Sequence, residues 1–92
     1  MGNIRAQVTV HGRVQGVAFR YSTIERAEEL GLTGWVRNTD ERTVEAVFEG
    51  PEENVKEMVK WCHRGPLLAR VTKVDSEYSN ATGEFGEFGV RF

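Results

Sequence analysis

Between Gly12 and Arg20 the chain reads Gly-Arg-Val-Gln-Gly-Val-Ala-Phe-Arg, the stretch whose residue types and spacing are best suited to chemistry. Its glycines lie where an alternating, strand-like pattern gives way to a helix-like one. Backbone N–H groups in the first turn of a helix have no internal acceptor and attract anions. Glycines let the preceding chain curl, so that several N–H groups converge into a nest. A hydrogen bond to a charged group contributes roughly 1.5–3 kcal/mol, so four or five of them can hold a phosphate without metal. Arg20 is the telling side chain. A cation in the first helical turn opposes the helix dipole, and no acidic residue lies within four positions to offset it. A bound anion would remove that conflict, and the guanidinium fork matches two phosphate oxygens.

Other chemistries have weaker support. The pattern GxxxxGK[ST] is absent, and so is GxGxxG, which argues against a nucleotide loop. His11 and His63 are far apart, without metal-ligand spacing, and read as structural. The single cysteine, Cys62, has no partner for a disulfide or a metal pair. Trp35 and Trp61 read as packing residues. Arg13 either adds to the local field or is merely exposed. Asn38, taken alone, reads as a residue of a hairpin turn, where Asn is common.

Charge distribution points the same way as the loop. The net charge is −2, which disfavours nucleic acid as the main partner. All 14 carboxylates follow residue 24, whereas the first 24 residues hold Arg5, Arg13 and Arg20. A local positive field in an acidic protein suits a small anion better than a long polyanion. No run of about 20 apolar residues is present, and residues 1–7 lack the apolar segment of a secretory signal. Cytoplasmic location is the expectation by elimination.

The elements that must position these residues follow from periodicity. At 92 residues the chain fits one compact domain spanning 1–92. Arg5–His11 alternates, with Ala6, Val8 and Val10 on one face. From about Phe19 to Leu30 the pattern is helical, and Gly31 is suited to end it in a left-handed conformation. Leu32–Asn38 and Thr43–Glu49 read as a hairpin joined by the polar turn Thr39–Arg42. Pro51 at the first helical position, then Glu52 and Glu53, opens a second helix. Its buried face is Val55, Met58, Val59 and Cys62, and Gly65-Pro66 ends it. Ala69–Tyr78 reads as a strand in which Val71 and Val74 are out of phase, which a bulge would reconcile. Phe88, Val90 and Phe92 alternate as a short last strand. The order βαββαβ plus a terminal strand predicts an α+β, ferredoxin-like sandwich, an antiparallel sheet with both helices on one face.

On these residues the chain resembles the acylphosphatase family. Gly12–Arg20 matches its signature G-x-V-Q-G-V-x-F-R at every fixed position. Gly34-Trp35-Val36-Arg37-Asn38, with Val44 and Gly50, matches its second signature. The departure is Arg42, in the hairpin turn, where the family usually has glycine; it alters turn geometry rather than chemistry and bears on the pose of Asn38. The resemblance spans nearly the whole chain and implies hydrolysis of a carboxyl–phosphate bond to carboxylate and inorganic phosphate. It further implies Arg20 as the phosphate ligand, Asn38 as the holder of the nucleophilic water, and N–H groups of Gln15, Gly16, Val17, Ala18 and Phe19 completing the cradle. No metal or cofactor is expected, nor a nucleic-acid or membrane partner, and the expected state is a monomer. Two other readings compete. A non-catalytic anion- or RNA-binding module is disfavoured by the acidic charge and the lack of an RNP-like aromatic motif. A domain serving a larger carbamoyl-transfer system is disfavoured by the free-standing length.

Overall fold

The computed structural model describes residues 2–92. Its elements are β1 (Asn3–Arg13), α1 (Phe19–Glu29), β2 (Thr33–Asn38), β3 (Val44–Pro51), α2 (Glu52–Cys62), β4 (Arg70–Asn80) and β5 (Phe88–Val90). They form one sheet in the order β4-β1-β3-β2-β5, the ferredoxin-like arrangement with a fifth strand added. The four long strands pair antiparallel, as predicted. β5 departs from that expectation: it lies parallel to β2, Gly34 opposite Phe88 and Val36 opposite Val90, which makes the sheet mixed.

The alternation in β1 sends Ala6, Val8 and Val10 into the core, where they meet Val55, Met58, Val59 and Cys62 of α2 and Ala27 of α1. α1 packs on β2 and β5, α2 on β1 and β3. Cys62 is buried as expected, and burial pushes its thiol up to about 12. The two out-of-phase valines of β4 are reconciled by a bulge. Val74 pairs with Val10, Val71 pairs with Gly12, and Thr72 between them is left over. Gly12 is the residue that permits this, since at φ +121° a Cβ there would collide with the carbonyl oxygen of Arg70. Pro51 closes β3 and stands just before α2 rather than inside its first turn, with φ −57° and ψ 140°. That extended ψ lets it serve both elements.

Strand directions decide what meets at the end of the sheet. β1 and β2 each run antiparallel to β3, so they run parallel to each other. Val10, Val44 and Asn38 lie in one row across β1, β3 and β2. The loop leaving β1 and the turn leaving β2 therefore emerge from the same end, two strand spacings or roughly 10 Å apart.

Candidate active site

Residues 14–18 carry the chain from β1 into α1, and their backbone is unusual. Gly16 has φ +76° and Ala18, immediately before the helix, φ +63° and ψ 27°. A left-handed conformation at a non-glycine residue costs on the order of 1–2 kcal/mol. Positive and negative φ in alternation turn successive N–H groups toward one concavity. The first helical donor to find an acceptor is the N–H of Ser22, which donates to Ala18 O at 3.0 Å. Among the described residues, the N–H groups from Gln15 to Tyr21 have no backbone acceptor. Phe19 fixes this turn against the core: it is buried, its ring centroid lies 5.5 Å from that of Trp61, and Gly65 presses against its edge.

Arg20 follows in the first turn, half-buried, with no acidic residue in that turn. No carboxylate among the described residues pairs with it, although eight other ion pairs form. Among the described residues, no carboxylate relieves the dipole conflict read from the sequence.

Asn38 ends β2. The hairpin turn behind it is closed by other groups. Thr39 Oγ1 accepts from the N–H groups of Glu41 and Thr43, each at 3.2 Å, and lies 2.6 Å from Thr43 Oγ1. The Asn38 carboxamide takes no part in this network, so the reading of Asn38 as a turn-capping side chain does not hold. Arg42 completes the turn at φ +67°, which explains why a glycine would suit that position.

Arg20 and Asn38 line one cavity of about 340 Å3, together with Gly16, Ala18 and Phe19. The side chains of Gln15 and Val17 are directed away from it. Val17 is buried, and the Gln15 side chain turns the other way, its Nε2 donating to Thr39 O and Thr43 O, both at 2.9 Å. Sequence reading assigned Gln15 a backbone donor only. Its carboxamide is what ties the loop after β1 to the turn after Asn38. Arg13 stands outside the cavity, in a neighbouring depression that also contains Arg42. A larger depression of about 760 Å3 lies elsewhere, between α1 and the residues following α2. It lacks Asn38, Arg20 and the loop. Among the described residues no group of three or more His, Cys, Asp or Glu is arranged to hold a metal ion, and no helix is long and apolar enough to cross a membrane.

The family model described as Acylphosphatase matches residues 6–90. An acylphosphatase of Trichormus variabilis is 59% identical over 80 residues, covering 87% of this chain and 79% of that one. An acylphosphatase of Pelotomaculum thermopropionicum is 49% identical over 92 residues, covering both chains completely. Among solved structures, an acylphosphatase from Coxiella burnetii superposes with a TM-score of 0.91 at 39% identity, covering 98% of this chain and 94% of that one. With the family model matched over nearly the full sheet and relatives alike end to end, this chain belongs to the acylphosphatase family, enzymes that hydrolyse acyl phosphates.

Proposed function

We propose that the cavity between α1 and the end of β2 is where the acyl phosphate is cleaved, with residues 1–92 acting as one acylphosphatase-like domain. Arg20 and the N–H groups of the loop from Gln15 to Phe19 bind the phosphoryl oxygens. Asn38 holds the attacking water, its carboxamide oxygen accepting from the water and its NH2 donating. The water oxygen attacks phosphorus in line while the bond from phosphorus to the acyl oxygen breaks. The electron pair leaves with a carboxylate, a weak base that needs no general acid. The water's proton passes to the phosphate itself, because Asn is a poor proton acceptor. What the protein supplies is alignment and charge stabilisation.

The observation carrying this reading is that Arg20, without a carboxylate partner among the described residues, lines the same cavity as an Asn38 that its own turn does not use. N–H groups on the adjoining loop that have no backbone acceptor among the described residues support it. The test is hydrolysis of benzoyl phosphate by the purified chain in excess EDTA, where full activity is expected. Arg20→Ala is expected to lower kcat/KM by about 100- to 1,000-fold and to weaken inhibition by inorganic phosphate. Asn38→Ala is expected to lower kcat by a comparable factor while phosphate still inhibits. Activity abolished by the chelator would reject the metal-free mechanism.

A further inference from the structure

The cavity contains more than a phosphoryl group and a water require. Besides Arg20, Asn38 and the loop, it is lined by Tyr21 and Ile24 of α1 and by Val90 and Phe92 at the C-terminal edge. Tyr21 and Ile24 are three residues apart and share a helix face. Val90 and Phe92 are two apart on an extended segment, since pairing with β2 continues past β5 through the N–H of Arg91, which donates to Val36 O at 2.9 Å. The same alternation carries Phe88 into the core, stacked on Phe48 at 5.4 Å, leaves Val90 half-buried and brings Phe92 fully into solvent. Tyr21 is 66% exposed. Two exposed aromatic side chains at the mouth of one cavity are the kind of apolar patch that marks a binding surface.

Charge narrows the ligand. Among the described lining residues Arg20 carries the only cationic side chain, so once it holds the phosphoryl oxygens no cation remains for a second anionic group. The volume lies at the small end of the range of about 300–1,000 Å3 typical of small-molecule sites. We propose that Tyr21, Ile24, Val90 and Phe92 form the acyl-group subsite, which selects acyl phosphates bearing a ring-sized apolar acyl group over those with a short or charged one. This rests on the assignment of Arg20 and Asn38 above. Apolar contact with the acyl group is made alike in the ground state and the transition state, so it acts on KM rather than on kcat.

The experiment measures competitive inhibition of benzoyl phosphate hydrolysis by methylphosphonate and by benzylphosphonate, which share a phosphoryl head and differ in the apolar group. The wild-type chain is expected to bind benzylphosphonate at least about ten-fold more tightly. Tyr21→Ser, at an exposed position, and Val90→Thr, which preserves shape but not polarity, are each expected to reduce that ratio several-fold and to raise KM for benzoyl phosphate more than for acetyl phosphate. Equal wild-type affinity for the two phosphonates, or a ratio unchanged in both variants, overturns the subsite. Turnover that inorganic phosphate does not inhibit overturns instead the phosphoryl site on which the subsite rests.

Discussion

Arg20 occupies a helix turn whose dipole disfavours it and finds no carboxylate among the described residues. A compact ammonium at that position keeps the charge but not the two-pronged geometry. Arg20→Lys is therefore expected to lose about ten-fold or more in kcat/KM, with weakened phosphate inhibition in the same assay. Asn38 allows a sharper contrast. Asn38→Asp puts a negative charge beside the phosphoryl group, so inhibition by phosphate should weaken, whereas Asn38→Ala leaves it. Titrating inhibition in both variants separates a charge effect from loss of the water. Attack at phosphorus also predicts that hydrolysis in 18O-labelled water delivers the label to phosphate and not to the carboxylate. The conflict at Arg20 was legible in the sequence because helix start, glycines and missing acids are all local. The side-chain role of Gln15 was not, because its acceptors lie 24 and 28 residues away and nothing near Gln15 announces them.

Two connections, the loop after β1 and the turn after β2, must keep their spacing for Arg20 and Asn38 to act together. Gln15 bridges them through two hydrogen bonds. Gln15→Leu removes both bonds, while Thr39 O and Thr43 O keep the N–H donors of Arg42 and Thr39, and is expected to cost about 1–3 kcal/mol of stability in urea unfolding. A shift of about 1 Å in a reacting group can cost on the order of 100-fold, so its kcat should fall by ten-fold or more. The turn itself is tested at Arg42, whose φ of +67° suits glycine and resists β-branched side chains. Arg42→Val is expected to be less stable than Arg42→Gly by about 1–2 kcal/mol. At this scale the sequence was informative where the signal was periodic. Val55, Met58, Val59 and Cys62 are all buried on α2, and the mismatch of Val71 with Val74 marked the bulge. The parallel pairing of β5 was not legible. Alternation of Phe88, Val90 and Phe92 identifies a strand but not its neighbour, which is set by long-range packing of Phe88 on Phe48.

Across the whole molecule, the site lies at one end of the sheet and a buried ion pair lies on the other face of the strands. Glu49 is 3% exposed and accepts from Arg5 Nε at 2.6 Å and from the N–H groups of Thr82 and Gly83 at 3.0 and 3.1 Å. Burial pushes its carboxyl up, but the bonds from Thr82, Arg5 and Gly83 outweigh burial and hold it below the usual value of 4.5. A carboxyl depressed in the folded state contributes stability that is complete above its unfolded pKa and disappears as pH falls through the folded one. Urea unfolding should therefore show stability declining below about pH 4.5, and Glu49→Gln should flatten that decline while lowering stability at pH 7 by about 1–3 kcal/mol. Alternation along Thr43–Glu49 puts Glu49 on the face opposite Val44, Ala46 and Phe48, but it cannot reveal that residues 82–83 fold over it. The most direct measurement of the central claim is a crystal structure with inorganic phosphate. The account predicts phosphorus between the Arg20 guanidinium and the N–H groups of residues 15–19, with a water held by Asn38 on its open side. Phosphate bound in the larger depression beside α2, or bound with Asn38 turned out of reach, would contradict it.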